Sequence, residues 1–131
     1  MLGGDLRHRA QQALALEPDA GGESHFEDVA VPLATLDFAP PARPMNLSPF
    51  APALRWAFFQ IPAGWYGDWH PTPRRQVFFW LAGEVEITAS DGEVRRFPAG
   101  TTLLVEDTTG KGHASRTVGE DTLAVVVQLP Q

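Results

Sequence analysis

The chain has 131 residues, a length that suits one domain with its own hydrophobic core. It contains no cysteine, which excludes disulfides, thiolate metal sites and a cysteine nucleophile. Its formal net charge is -6 at pH 7 and no basic cluster interleaves with aromatic residues, so no nucleic-acid partner is expected. No apolar run approaches the roughly 18 residues that cross a bilayer, so no membrane partner is expected. The first twenty residues lack the apolar segment of a signal peptide, which makes a cytoplasmic location the expectation.

The first part of the chain favours a helix. Residues 5–16 are dominated by Ala, Leu, Gln and Arg, which are good helix formers. Glu17-Pro18 and the glycines that follow would end it. We therefore predict that residues 1–22 form an N-terminal extension, as a helix or a partly ordered tail. Residues 23–131 are predicted to form a single β-barrel domain.

From Phe26 onward, short runs of alternating apolar residues are separated by turn signals. Prolines crowd residues 40–52, which excludes a helix or a central strand there and predicts an ordered loop across the surface. Asp91-Gly92 predicts a hairpin with a type I′ turn. The predicted strands cover residues 26–33, 54–61, 69–81, 84–88, 94–97, 101–105, 113–118 and 123–129. This pattern predicts an all-β sandwich or barrel, with the jelly roll as a candidate.

A first motif surrounds His70. Gly64 is followed by five residues and then His70, and Thr72, Gln76 and Gly83 follow at fixed intervals. The spacing resembles the first motif of the cupin superfamily, which runs Gly, five residues, His-x-His, three or four residues, Glu, six residues, Gly. Thr72 stands where the second histidine of that motif would be, and Gln76 stands where its glutamate would be.

A second motif leads to His113. Gly100 is followed by five residues and then by the segment from Glu106 to His113. This is similar to the second cupin motif, with a longer loop before the histidine, Glu106 in place of a proline and Thr117 at the position of an asparagine. The stretches GDWHPTPRRQ and EDTTGKGH also resemble a group of small bacterial cupins.

The resemblance covers roughly residues 54–129. It implies a small single-domain cupin of the conserved-barrel (cupin 2) type with degenerate metal motifs, folded as a jelly-roll β-barrel and forming a homodimer. It also implies that His70 and His113 would be metal ligands, with Gln76 offering a carbonyl oxygen. Asp68, two residues before His70 in the same strand, is the candidate anionic ligand.

Two interpretations of this site stay open. Imidazole suits Zn, Fe, Ni and Mn, so a divalent metal can be the cofactor. Alternatively the pocket has no metal, and its two neutral histidines are hydrogen bonded to Gln76 and Thr72.

Strand periodicity predicts which side chains share the barrel interior, because alternate residues point to opposite faces. On the neighbouring strand, Trp56 and Phe58 share one face and Phe59 and Ile61 the other, and the sequence does not decide between them. The residues that share the face of His70 are Asp68, Thr72, Gln76, Phe78 and Trp80. The candidate substrate-binding residues are Trp56, Phe58, Thr72, Phe78, Trp80 and Glu106.

Two classes of function fit such a pocket. In the first, His70 and His113 are the catalytic residues, with or without a metal, and transfer a proton to and from a small, largely apolar organic molecule. Isomerase, cyclase or lyase chemistry would fit. In the second, the barrel binds or senses a small-molecule ligand without catalysis.

Overall fold

The computed structural model describes residues 10–131, which fold as a jelly-roll β-barrel with no helix in that range. The strands are β1 (Ala10–Pro18), β2 (Ser24–Pro32), β3 (Ala34–Leu36), β4 (Met45–Leu47), β5 (Arg55–Ile61), β6 (Tyr66–His70), β7 (Gln76–Ala82), β8 (Glu84–Ala89), β9 (Val94–Pro98), β10 (Thr102–Val105), β11 (His113–Thr117) and β12 (Thr122–Gln128). The all-β prediction is therefore confirmed. Among the described residues, none forms a helix long and apolar enough to span a bilayer.

Two sheets enclose the interior. The larger sheet has six strands in the order β2-β1-β10-β7-β12-β5, and the smaller has four in the order β6-β11-β8-β9. A separate hairpin pairs β3 with β4. Most neighbours are antiparallel, and β1 runs parallel to β10. His70 and His113, the histidines of the two motifs, therefore both lie in the smaller sheet. Gln76 of the first motif is the first residue of β7 in the larger sheet.

The hydrophobic core lies between the two sheets. Trp80 of the larger sheet stacks on Phe97 of the smaller one, with ring centroids 4.9 Å apart. Phe78 stacks on the other side of Trp80 at 5.6 Å. These three rings form a continuous stack between the two sheets, and Phe78 and Trp80 also line a cavity. The other buried core residues are Leu16, Ile61, Val85, Ile87, Ala89, Leu103, Val105 and Ala124.

The helix predicted over residues 5–16 is wrong for residues 10–16, which belong to strand β1; residues 5–9 lie outside the described residues. β1 pairs with β2 over its whole length and with β10 around Leu14 to Leu16. Helix propensity differs by only tenths of a kcal/mol per residue, so two neighbouring strands and the burial of Leu16 outweigh it. Residues 10–18 are thus an inner strand of the larger sheet.

Two further sequence predictions change in detail. The predicted strand 69–81 is two strands, β6 and β7, which lie in different sheets and are separated by the prolines at 71 and 73. The turn at Asp91-Gly92 is not of type I′, because Asp91 does not have a positive φ. Gly92 alone takes a positive φ of 96° and closes the β8–β9 hairpin.

Candidate functional site

A cavity of about 450 Å³ opens between the two sheets, lined by residues of both. Its wall is mostly apolar, and the polar side chains that reach it gather where β6, β7 and β11 begin or end. The aromatic lining residues are Phe59, Trp65, Phe78 and Trp80. The polar lining residues are His70, Thr72, Gln76, His113, Ser115 and Gln128. No Asp, Glu, Lys or Arg of the described chain lines this cavity.

His70 and His113 are the central pair of the polar end. They occupy directly opposed positions on the antiparallel strands β6 and β11, and their ring centroids are 5.0 Å apart. The two rings are therefore neighbours on one wall rather than facing each other across the pocket. His113 is buried, with 8% of its surface exposed, whereas His70 is exposed and lies at the mouth.

The ring of His113 is held by a buried carboxylate. His113 Nδ1 lies 2.6 Å from Asp107 Oδ2, and Asp107 has no exposed surface. A carboxylate accepts a hydrogen bond, so Nδ1 carries the proton and Nε2 of the neutral ring keeps its lone pair. The second carboxylate oxygen, Oδ1, is buried without a hydrogen-bond partner. The carboxylate of Asp107 thus interacts with His113, in the way that a carboxylate orients the general base of a catalytic pair.

The ring of His70 is oriented in the same way by the backbone. His70 Nδ1 lies 2.6 Å from the carbonyl oxygen of Asp68, which can only accept. Nε2 of a neutral His70 is therefore also unprotonated. The strand pair thus presents two imidazole lone pairs side by side.

A short chain of amide and hydroxyl groups forms the opposite side of the polar end. Gln76 Nε2 donates to Thr72 Oγ1 at 3.1 Å, and Thr72 Oγ1 donates to the carbonyl of Arg74. Gln128 Nε2 donates to Gln76 Oε1 at 3.2 Å. Gln76 and Thr72 are both buried, and neither donates to a histidine ring. The histidines therefore do not make the hydrogen bonds to Gln76 and Thr72 that were expected of a pocket without a metal. They bond instead to the Asp68 carbonyl and to Asp107.

The loop between β10 and β11 brings Asp107 and His113 together, and the first hairpin braces that loop. Glu106 N donates to the carbonyl of Leu16, and Lys111 N donates to the carbonyl of Gly22. Ser24 Oγ donates to the carbonyl of Gly112 at 2.7 Å. The segment predicted to be an accessory extension thus fixes the geometry of the site.

Gly112 is the closest point between this loop and β6. It has a φ of 75°, and a Cβ placed there would lie 2.1 Å from the backbone carbonyl of His70. No other residue type fits, because the contact is with backbone that cannot rotate away. The second glycine of the sequence Gly-Lys-Gly before His113 is thus required both by its positive φ and by this close contact.

Several predicted site residues line the cavity, namely His70, His113, Gln76, Thr72, Phe78 and Trp80. Trp56 and Phe58 do not, because they lie on the outward face of β5, while Phe59 and Ile61 point inward. Glu106 does not either, since its carboxylate pairs with Arg75. The substrate-binding role predicted for these three residues is therefore not supported by their positions.

Asp68, the predicted anionic ligand, is also outside the cavity. β6 and β11 shift register between the pairs His70–His113 and Gly67–Ser115, because two residues lie between Gly67 and His70 while one lies between His113 and Ser115. This bulge breaks the simple alternation that placed Asp68 on the face of His70. The Asp68 side chain is exposed, and its Oδ1 accepts from the amide of Trp69.

The site contains residues that sequence reasoning did not assign. Asp107 has no motif signal, because its spacing of six residues from His113 gives no reason to prefer it over Asp68 or Glu106 as the acid that orients a histidine. Phe59 was left undecided by strand parity. Trp65 and Gln128 reach the cavity from a turn and from the end of β12. Gln128 lies opposite Gln76 in the β7–β12 ladder, a register that no local sequence signal reveals.

The residues present do not fit the metal centre that the motif resemblance implies. The polar end offers two imidazoles, two hydroxyls and the amides of Gln76 and Gln128, whose oxygens already accept hydrogen bonds, and no carboxylate reaches it. Among residues 10–131 there is no group of three or more His, Cys, Asp or Glu side chains able to hold a metal ion. The one buried acid, Asp107, is occupied with Nδ1 of His113, so it supports a ligand rather than acting as one.

Several shifted pKa values belong to a surface cluster beside this loop. His25 lies between two carboxylates, with Nε2 at 2.7 Å from Asp19 and Nδ1 at 2.9 Å from Asp91. The hydrogen bond to Asp19 raises the pKa of His25, and that to Asp91 adds to the effect. The bond to His25 lowers the pKa of Asp19, and the backbone amide of Glu93, followed by His25, lowers the pKa of Asp91. This cluster ties the β1–β2 turn to the β8–β9 turn.

No protein-family model and no curated protein sequence matches the chain. Its structure is similar to that of the DMSP lyase DddQ from Ruegeria pomeroyi DSS-3, with a TM-score of 0.51 and 28% identity. The match covers 62% of this chain and 40% of the lyase, so the chain spans less than half the length of that protein.

Two weaker likenesses have TM-scores below 0.5 and carry no weight. A conserved protein of unknown function from Streptococcus pyogenes has a TM-score of 0.46 and 28% identity, over 58% of this chain and 64% of that one. The cupin domain of Cnp3 from Schizosaccharomyces pombe has a TM-score of 0.48 and 14% identity, over 97% and 88%.

The spacing of the two histidine motifs, the jelly-roll barrel that joins them and the likeness to the lyase define the class. The chain has the fold of the cupin superfamily.

Proposed function

We propose that this cupin binds a small, largely apolar organic molecule in its cavity and transfers a proton to and from it. The observation that carries the proposal is the buried hydrogen bond from His113 to Asp107 at the polar end of an apolar cavity. A histidine whose Nδ1 is held by a buried carboxylate is a general base with a fixed direction.

The lining of the cavity determines the class of ligand. A volume of about 450 Å³ is that of a small-molecule site, and aromatic and aliphatic side chains together form most of its wall. The lining contains no Lys or Arg to neutralise a phosphate or carboxylate. A ligand with an apolar body and one polar group, such as a ketone, aldehyde or enol, matches this arrangement.

The two histidines have different surroundings and therefore different tasks. His113 is buried, so its Nε2 takes a proton from a carbon next to the carbonyl of the ligand, and Asp107 stabilises the resulting imidazolium. His70 is exposed at the mouth, where it exchanges protons with water and returns one to the ligand. Because two imidazoles and two hydrogen-bonded amides, without a carboxylate, do not form the expected metal site, no step of this proposal uses a metal. Isomerase, cyclase or lyase chemistry shares this first proton transfer.

The experiment follows the proton itself. Arylacetones and phenylacetaldehyde are incubated with the protein in D₂O, and loss of the proton next to the carbonyl is followed by NMR. We expect the wild-type protein to accelerate exchange of at least one probe, and His113→Ala to lose that acceleration. Ser115→Ala is the matched control, since Ser115 lines the same cavity without a base. Equal exchange in wild type and His113→Ala would contradict the proposal.

The alternative function is binding without catalysis. Trp65 and Trp80 line the cavity, so a bound ligand is expected to quench tryptophan fluorescence. Quenching by a probe that the protein does not exchange in D₂O would favour the binding module over the enzyme.

A further inference from the structure

The outward face of the larger sheet carries no charged side chain on the four strands β10, β7, β12 and β5, which lie side by side. Val77 and Phe79 alternate with the cavity residues of β7 and therefore point outward. Phe58 and Val125 lie in register with Phe79, so they share that face. The other outward positions of β5, β7, β10 and β12 are Trp56, Gln60, Leu81, Thr102, Leu104, Leu123 and Val127. None of these side chains is charged.

Large side chains on this face are open to solvent. Trp56 is 64% exposed and Phe58 66% exposed, although both belong to strand β5. The large exposed residues of this outer face are Leu54, Trp56, Phe58, Phe79 and Leu81. A continuous apolar patch of this kind marks a surface that another macromolecule covers.

The smaller sheet shows the opposite pattern. On its outward face Arg116 makes two hydrogen bonds to Glu86, at 2.9 and 3.1 Å, and Arg96 lies 3.4 Å from the same carboxylate. Such a charged network is typical of a sheet that faces water. The two outward faces are thus chemically different: the exposed Tyr66, Trp69 and Val94 of the smaller sheet lie on a face that carries these ion pairs, whereas β5, β7, β10 and β12 of the larger sheet carry none.

A second exposed apolar surface belongs to the segment between β2 and β5, which we call the arm (residues 33–53). Its strands β3 and β4 pair with each other and with no other described strand. Asp37 and Arg43 are its only charged residues, and they have opposite signs. The large exposed residues of the arm are Leu36, Phe38, Met45 and Phe50, of which Phe50 is 80% exposed.

The arm does not cover the outer face of its own chain, since Trp56 and Phe58 stay exposed with the arm in place. We propose that two copies of this chain form a symmetric dimer in which the arm of each copy packs on the outer face of the other. One chain thus supplies both halves of a self-complementary contact, as a twofold interface requires. The dimer itself was an expectation from resemblance, and this geometry names the surfaces that form it.

The area available is sufficient for a stable dimer. At roughly 200 Å² for each large apolar side chain, the exposed fractions of the nine residues of the outer face and arm correspond to about 1,000 Å² per chain. A stable interface buries about 800 Å² on each partner. Five prolines between residues 40 and 52 restrict the arm before it binds, which lowers the entropy that docking costs.

The first test is the oligomeric state of the full chain by sedimentation velocity at micromolar concentration. We expect a dimer for the wild type and at least tenfold weaker association for Phe58→Glu on the outer face and for Phe50→Glu on the arm. Val94→Glu is the matched control, because Val94 is a half-exposed apolar residue of the smaller sheet and is expected to leave the dimer intact. Far-UV circular dichroism confirms that each variant is folded.

The second test distinguishes exchange of arms from an arm that closes on its own chain. Since the chain has no cysteine, each introduced thiol is the only one present. Phe50→Cys and Phe79→Cys chains of different tag length are mixed and oxidised, and a disulfide between the two chains is expected. The double variant Phe50→Cys/Phe79→Cys is expected to give covalent dimers.

Three results would overturn the proposal. Sedimentation of the wild-type protein as a monomer would show that the proposed dimer does not form. An intrachain disulfide in the double variant places the arm on its own sheet. Dissociation by Trp69→Glu on β6, with Phe58→Glu still dimeric, moves the interface to the smaller sheet.

Discussion

His70 and His113 lie side by side on neighbouring antiparallel strands, with ring centroids 5.0 Å apart. Each ring has Nδ1 committed to an oxygen that can only accept a hydrogen bond, the carbonyl of Asp68 in one case and the carboxylate of Asp107 in the other. Both Nε2 atoms therefore keep their lone pairs at the polar end of an apolar cavity. The proposed proton transfer requires this arrangement, which does not depend on the carboxylate ligand of the full cupin motif.

The carboxylate of Asp107 is expected to set the strength of the base. Asp107→Asn keeps the shape of the side chain and removes the charge that stabilises the imidazolium of His113. We expect proton exchange of the best arylketone probe to slow by about 10²-fold or more. The measurement is the NMR exchange rate in D₂O, with Asp68→Asn as control because Asp68 contacts His70 through its backbone only. A rate for Asp107→Asn equal to that of the control would show that the charge has no role.

Gly112 is expected to be indispensable for the approach of the loop to His70. Gly112→Ala places a Cβ 2.1 Å from backbone atoms, and we expect it to destabilise the protein by at least about 3 kcal/mol. Gly119→Ala is the control, because Gly119 has a similar positive φ of 79° but open space around it, and about 1 kcal/mol is expected. Urea unfolding gives both values. Equal losses for the two variants would mean that the backbone contact at Gly112 is not formed in solution.

The His25 cluster is expected to make stability depend on pH. Its hydrogen bond to Asp19 raises the pKa of His25 from the usual 6.5, so the protonated ring stabilises the folded state below that value. This stabilisation is lost as the pH rises through the higher pKa of the folded state. The difference in Tm between wild type and His25→Gln is therefore expected to be larger at about pH 5 than at about pH 9. Thermal unfolding at both values tests this, and a difference that grows with pH would contradict it.

Restoring the ligand set of the motif is expected to create metal binding. Thr72 and Gln76 line the cavity beside the two histidines. The double variant Thr72→His/Gln76→Glu therefore gains an imidazole and a carboxylate, giving the donor types that Zn, Fe, Ni or Mn prefer. We expect this variant to bind one equivalent of Ni²⁺ at least tenfold more tightly than the wild type by isothermal titration calorimetry. Equal affinity would show that the wild-type donors already form a complete site.

The alternation of apolar residues and the turn signals predicted most of the strands, because a half-buried strand must alternate. The motif spacing also placed His70, His113, Gln76 and Thr72 at the cavity. The first strand was missed, since the composition of residues 10–16 favours a helix and only its pairing with β2 and β10 makes it a strand.

The parts of the site that could not be predicted depend on contacts between distant segments. The bulge in β6 removes Asp68 from the face of His70, and nothing in the local sequence specifies it. Asp107 reaches His113 because the loop is held by Leu16 and Ser24 from the first hairpin. Such long-range hydrogen bonds have no periodic signature in a single sequence.

His113 and His70 are expected to present unprotonated Nε2 atoms to the cavity. The tautomers of the two rings test this arrangement most directly. Long-range ¹H–¹⁵N correlation spectra of the wild-type protein, recorded at a pH where the rings are neutral, distinguish Nδ1–H from Nε2–H. Assignment uses His70→Gln and His113→Gln. We predict the Nδ1–H form for both rings, and loss of that preference for His113 in Asp107→Ala. An Nε2–H tautomer for His113 in the wild-type protein would contradict the account.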